Sequence, residues 1–266
     1  MGIRKAIALG DFDGMHLAHK TVVTGAENVT IYCVNNRFTL LQKSIFERRY
    51  PNAVFADFNK IKNLSAGEFI DTVLIDEYKA ETLLCGFNFR FGKNAMWSAH
   101  DLRAYLEARN VWVRILEHQD YDGAPISSSR IRELLKNGEI NKVNDMLGYN
   151  FTFESTVVEG DKRGRKIGFP TINQSLPEGL CVPKYGVYES RAEVGGKMLK
   201  SVTNIGIRPS FRLDTPVSET HIPGFDGSLY GKTVRIELLK YLREEKTFSS
   251  LDELKKQLTY DKSSII

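Results

Sequence analysis

Gly10-Asp11-Phe12-Asp13-Gly14-Met15-His16-Leu17-Ala18-His19 follows directly on the apolar run Ala6–Leu9. The run reads as a strand, the glycine-bearing stretch as a turn, and the residues from about His16 onward as the start of a helix. His16 and His19 are three residues apart and so share one helix face, at the end that carries unpaired N–H groups and partial positive charge. That end suits a polyphosphate, and two imidazoles there can donate hydrogen bonds to developing negative charge. Taken alone, the pair also fits ordinary packing, or metal ligation with Asp11 or Asp13 as a further ligand.

Outward from this turn, β-type runs at Val29–Val34, Ala53–Ala56, Thr82–Cys85 and Val111–Leu116 alternate with helical segments. Ser65-Ala66-Gly67-Glu68 has the capping-box pattern, with Phe69, Thr72, Val73 and Asp76 following at helical spacing. Ser98 to Arg109 reads as a helix with Leu102, Tyr105 and Leu106 on one face, and Ser127–Lys136 and Glu139–Leu147 as two shorter ones. Strand and helix in alternation predict a parallel sheet covered on both faces, with ligands at the carboxyl ends of its strands.

From Asn150 the texture changes. Phe151–Val158, Gly186–Val194, Lys200–Asn204, Val217–Ile222 and Thr233–Tyr241 are β-type runs punctuated by Gly and Pro, which predicts an antiparallel barrel or sandwich. A last helix runs from Ser250 toward Tyr260. The boundary falls near Gly148, giving domains 1–148 and 149–266.

The chain has 266 residues, 42% hydrophobic and 26% charged, with a net charge of +4. That is ordinary for a soluble globular protein and argues against disorder. The three cysteines, Cys33, Cys85 and Cys181, are widely spaced with no Cys-x-x-Cys, so neither a disulfide framework nor a zinc site is expected. No apolar stretch is long enough for a membrane span, and the amino terminus lacks a signal-peptide pattern. The expected location is the cytoplasm. The slight positive charge suits an anionic ligand but lacks the clustered basic face of a nucleic-acid binder.

The second half holds a denser constellation, Gly160-Asp161-Lys162-Arg163-Gly164-Arg165-Lys166-Ile167-Gly168-Phe169-Pro170-Thr171-Ile172-Asn173. Its glycines let the backbone approach a bulky anion, and its basic residues supply charge. In an extended chain Thr171 and Asn173 aim two oxygen-bearing groups to one side while Ile172 faces the core, an arrangement suited to Mg²⁺. A solvated turn followed by plain strand alternation is the simpler reading of the same residues.

The opening turn resembles the Gly-x-Phe-Asp-Gly-x-His-x-Gly-His form of prokaryotic FAD synthetases. Gly86-Phe87-Asn88-Phe89-Arg90-Phe91-Gly92 and Ile126-Ser127-Ser128-Ser129-Arg130-Ile131-Arg132 are similar to the same family. Three places depart from it: Ala18 stands between the histidines where glycine is usual, Val34-Asn35-Asn36-Arg37-Phe38 lacks the usual acid and Pro, and Asn94-Ala95-Met96-Trp97-Ser98 replaces a glycine-containing loop. The segment 160–173 resembles the riboflavin kinase signature Gly-Arg-Gly-x-x-Leu-Gly-Phe-Pro-Thr-Ala-Asn. The likeness continues through Pro183–Tyr188, Asn204–Phe211, Glu219–Ile222, Gly224–Gly231 and Leu242–Phe248.

The resemblance implies a bifunctional riboflavin kinase/FMN adenylyltransferase: a Rossmann-like α/β nucleotidyltransferase domain, then a small antiparallel β-barrel kinase domain. It implies riboflavin, FMN and ATP as substrates, Mg²⁺ with the ATP, and no nucleic-acid or membrane partner. His16 and His19 would meet the transition-state phosphate. Gly10, Phe12, Asp13, Gly14, Asn88, Ser128, Ser129 and Arg130 would bind ATP in the first domain, and Gly160, Arg163, Arg165 and Gly168 in the second. Thr171 and Asn173 would hold the metal, Glu219 would act as general base, and Arg208 and Arg243 would bind flavin. The departures leave open a second reading, a kinase whose adenylyltransferase half is weakened. Oligomeric state is not written in the sequence.

Overall fold

The computed structural model describes residues 5–160, 164, 168–207 and 215–263. Contacts divide the chain into two compact units, Met1–Phe38 with Lys43–Ser128, and Thr39–Gln42 with Ser129–Ile266. The helices Ser128–Asn137 and Ile140–Leu147 thus fall almost wholly in the second unit. They are tied there by the Asn144 amide, which donates to the Leu238 carbonyl and accepts from the Phe151 N–H, and by the Lys184 N–H donating to the Leu135 carbonyl. Contacts and sequence texture therefore divide the chain at different places.

The strands of the first unit are β1 (Ala6–Gly10), β2 (Thr30–Cys33), β3 (Ala53–Phe55), β4 (Thr82–Gly86), β5 (Arg90–Phe91), β6 (Trp97–Ser98), β7 (Trp112–Leu116), β8 (Asp120–Tyr121) and β9 (Ala124–Pro125). β1, β2, β3, β4 and β7 form one parallel sheet in the order β3-β2-β1-β4-β7. β1 is central and nearly wholly buried, so its residues carry no alternation, as expected of a strand covered on both faces. The chain builds outward from β1 on one side and then returns to β4 on the other. That reversal makes the carboxyl ends of β1 and β4 the switch point where such sheets bind ligands.

Two local features differ from the sequence reading. The Ser65 capping box forms, but the helix it starts passes into a π-helix at Phe69–Glu77, closed by the Tyr78 N–H donating to Val73 O. The wider turn buries Phe69, Ile70, Val73 and Leu74, so Thr72 and Asp76 do not lie in the apolar stripe. The short hairpins β5–β6 and β8–β9 carry too few residues to show a period.

In the second unit β10 (Thr152–Thr156), β11 (Thr171–Ser175), β12 (Gly186–Val194), β13 (Lys197–Ile207), β14 (Pro216–His221) and β15 (Thr233–Arg243) form one antiparallel sheet. Its order is β10-β15-β12-β13-β14-β11. The two outer strands are drawn together by Val158 N–H donating to Asn173 O, Ser155 Oγ to Ser175 O, and Gln174 Nε2 to Ser155 O. The sheet is therefore a nearly closed barrel rather than a sandwich. Its inside mixes Tyr188, Ile236 and Leu238 with a buried chain of hydroxyls, Ser201–Ser190–Thr203–Thr220, each contact at 2.8 Å. Every member has a partner, so the polar interior carries no unpaired hydroxyl along that chain.

Candidate functional site

The first candidate site lies on the turn after β1. Phe12, Gly14 and Met15 all adopt positive φ, and Phe12, Asp13, Gly14, Met15 and His16 are buried. A left-handed backbone at two bulky residues is unusual, and such strain clusters where a loop must present particular groups. The Phe12 ring lies against Gly10 and meets the edge of His19 at 5.3 Å. Ser128 Oγ donates to the Asp13 carbonyl at 3.0 Å, joining the third sequence motif to this turn.

His16 is the N-cap of the helix Leu17–Val23 rather than a residue within it. Its Nδ1 accepts the His19 N–H at 3.3 Å, so the neutral ring carries its proton on Nε2. The two imidazoles stack with centroids 3.6 Å apart. Burial, reinforced by Lys20, lowers His16 to about 4, and burial with His16 as neighbour lowers His19 well below its ordinary value. Both rings are neutral donors near pH 7. His19 Nδ1 is buried with no hydrogen-bond partner among the described residues. Asn88 is exposed just beyond the end of β4, in the turn closed by Phe89 N–H on Gly86 O. Ser129 and Arg130 occupy the first turn of the helix Ser128–Asn137.

The second candidate site lies on the outer face of the barrel. Asn173 stands directly opposite Glu219 across the β11–β14 ladder, and Thr171 stands opposite His221. Directly opposed residues share a face, so Thr171, Asn173, Glu219 and His221 form one polar patch. His221 Nδ1–H donates to the Pro170 carbonyl at 2.8 Å and its ring meets Phe169 at 5.2 Å, which pins the segment leading into Thr171. A Cβ on Gly160 would lie 2.5 Å from Asn173 Nδ2, so a side chain there would push the Asn173 amide aside. Gly168 turns the chain with φ +84°. Arg163, Arg165 and Arg208 lie outside the described residues.

Ile172 faces inward, opposite the buried Thr220, but is only half-buried because it also lines a cleft. Pro170, Thr171, Thr220, Ile222, Phe225 and Tyr230 line the same cleft, a recess of mixed polar and apolar walls beside the Thr171 hydroxyl. Sequence reasoning missed its walls, since an apolar residue at a strand end reads as core. Arg243 is engaged within the protein: Nε and Nη2 bond the Asp261 carboxylate and Nη1 donates to Glu244 O.

The oxygen donors of Thr171 and Asn173 suit a hard cation bound jointly with phosphates. Among the described residues no group of three or more His, Cys, Asp or Glu is placed to hold a metal, so a cation here would depend on such shared ligation. Among the described residues, no helix is long and apolar enough to cross a membrane.

Comparison with known proteins places both halves of the chain in known families. A riboflavin kinase family model matches residues 147–265, and an FAD synthetase family model matches residues 35–130. The chain is 32% identical to the bifunctional riboflavin kinase/FMN adenylyltransferase of Bacillus subtilis, over 99% of this chain and 92% of that one. It is 30% identical to the Listeria monocytogenes protein of the same name, over 97% and 90%. A solved structure titled a macrolide-efflux protein, from Streptococcus pneumoniae, superposes with a TM-score of 0.89 at 26% identity, covering 100% of this chain and 94% of that chain. With two family models and near full-length relatives in agreement, the chain belongs to the bifunctional riboflavin kinase/FMN adenylyltransferase family.

Proposed function

We propose that the barrel unit transfers the γ-phosphoryl group of ATP to riboflavin, and that the parallel-sheet unit transfers the adenylyl group of a second ATP to the resulting FMN. The observation that carries the first step is the pairing of Asn173 with Glu219 on one face of the barrel. Glu219 takes the proton of the attacking ribityl hydroxyl. The new O–P bond forms as the bond from the γ-phosphorus to its bridging oxygen breaks, and ADP leaves. Thr171 and Asn173 would hold Mg²⁺, which when bound neutralises phosphate charge. Gly160 and Gly168 let the loop backbone approach the phosphates, with Arg163 and Arg165 adding charge. The cleft of Ile172, Ile222 and Phe225 suits the adenine base.

In the second step an FMN phosphate oxygen attacks the α-phosphorus of ATP and pyrophosphate leaves. His16 and His19, neutral and held in place, donate to the phosphate as charge develops. Gly10, Phe12, Asp13 and Gly14 shape the turn, Ser128, Ser129 and Arg130 contact phosphate, and Asn88 lines the nucleotide pocket. Arg208 and Arg243 belong to the flavin side of the kinase site. The functional boundary lies at 148/149, and the place of action is the cytoplasm.

Chromatographic analysis of products from riboflavin, ATP and Mg²⁺ tests the reading. FMN followed by FAD supports it. FMN that never proceeds to FAD, even when FMN is supplied, removes the second activity, and no FMN removes the first.

A further inference from the structure

Glu219 has a second neighbour. Asn204 on β13 stands directly opposite it on the side away from Asn173, so Asn173, Glu219 and Asn204 form one row across three adjacent strands. Asn204 Nδ2 donates to Glu245 Oε1 at 2.9 Å. A carboxylate only accepts, which fixes the amide's orientation and leaves Asn204 Oδ1 as its acceptor end. That oxygen is buried and has no hydrogen-bond partner among the described residues. Two residues along β13, a Cβ on Gly206 would run into the Glu245 carboxylate, so glycine leaves the room in which Glu245 docks.

We infer that Asn204 accepts a hydrogen bond from a hydroxyl of the flavin's polyol chain, and that Glu245 is the positioning residue that turns its carboxamide oxygen toward that hydroxyl. The inference rests on the kinase reading above. In-line transfer places the phosphorus between the leaving and attacking oxygens. With the nucleotide phosphates at Thr171 and Asn173, the chain bearing the attacking hydroxyl extends past Glu219 on its other side, where Asn204 stands. A polyol supplies the O–H donor that this buried acceptor lacks.

Steady-state FMN formation by the full-length protein tests this. Asn204→Ala lowers kcat/KM for riboflavin by about tenfold or more and leaves the KM for ATP within about twofold. Asn204→Asp sets a carboxylate against Glu245 and loses activity similarly. Adding Glu245→Gln supplies an amide donor to that aspartate and recovers most of the riboflavin kcat/KM. Riboflavin parameters unchanged in Asn204→Ala, a loss carried by the KM for ATP, or no recovery in the double variant overturns the inference. Should Asn204→Ala unfold in a thermal melt, Glu245→Ala, altered at an exposed side chain, carries the test. It raises the riboflavin KM by about threefold or more, and an unchanged KM refutes the role. A wild-type protein that forms no FMN refutes the kinase reading itself.

Discussion

The imidazole of His16 stacks on that of His19, with centroids 3.6 Å apart and planes 18° apart. Two protonated rings at that distance would repel strongly, and desolvation adds to the cost. The stack therefore exists as a neutral pair, and acid should oppose it. His16 titrates at about 4 in the folded protein against an ordinary 6.5, with burial as the main cause and Lys20 as the second. The unfolded chain binds this proton more readily, so the contribution to stability is present above about 6.5 and is lost as pH falls toward 4. Thermal melts between pH 7 and pH 4 should show a steeper loss of Tm in the wild type than in His16→Asn. Parallel curves would mean that the pair is not held neutral by the fold.

The two chemistries should separate by mutation. Glu219→Gln keeps the hydrogen-bonding shape of the side chain but removes the proton acceptor, and a general base contributes about 10²–10⁴-fold. FMN formation should fall by at least about 10²-fold, while FAD formation from supplied FMN stays near wild type. His16→Ala should do the reverse, because it removes the N-cap ring that accepts the His19 N–H. Product chromatography on both variants decides the matter: a variant that loses both activities together would contradict independent sites.

Much of this was legible because chemistry sits at strand ends. The stretch from Gly10 to His19 announces a strand, a glycine turn and a helix start, and β1 does end at Gly10. The alternation of types pointed to the parallel sheet, and Pro170-Thr171-Ile172-Asn173 pointed to an extended segment with two oxygens on one side. Other features were not legible. Register is a tertiary property, so nothing local says that Asn173, Glu219 and Asn204 line up, or that Glu245 reaches back over Gly206. The polar barrel interior also runs against the usual pattern. Ser190, Ser201, Thr203 and Thr220 read as solvent-facing positions, yet each is buried because its neighbour's hydroxyl satisfies it. A capping box followed by apolar residues at 3.6-residue spacing does not distinguish an α-helix from the π-helix Phe69–Glu77.

Gly160 offers a test of the proposed metal site that leaves its proposed ligands intact. A methyl group there would sit 2.5 Å from Asn173 Nδ2 and 2.9 Å from its Oδ1, well inside contact distance. The Asn173 side chain must then turn away, since its backbone is held by the Val158 bridge. Gly160→Ala should lower FMN formation by about tenfold and raise the Mg²⁺ concentration needed for half-maximal rate, in keeping with the loss of one oriented ligand contact. Normal Mg²⁺ dependence in a folded Gly160→Ala protein would place the metal away from Asn173.

The C-terminal helix Leu251–Ser263 is fastened to β15 by the Arg243–Asp261 pair, whose side chains are 15% and 3% exposed. Asp261 also accepts from Gln257 Nε2, so both carboxylate oxygens are bonded. Removing one partner of so buried a pair leaves a charge stranded, which costs about 3–5 kcal/mol. Replacing both with apolar residues of similar size removes that penalty and is often nearly neutral. Asp261→Ala should therefore lower the barrel's Tm by more than the double change Arg243→Met with Asp261→Leu. The flavin enters the same comparison. If the pair serves only to hold the helix, the double variant keeps its riboflavin KM. If Arg243 also meets the flavin, that KM rises although the Tm recovers.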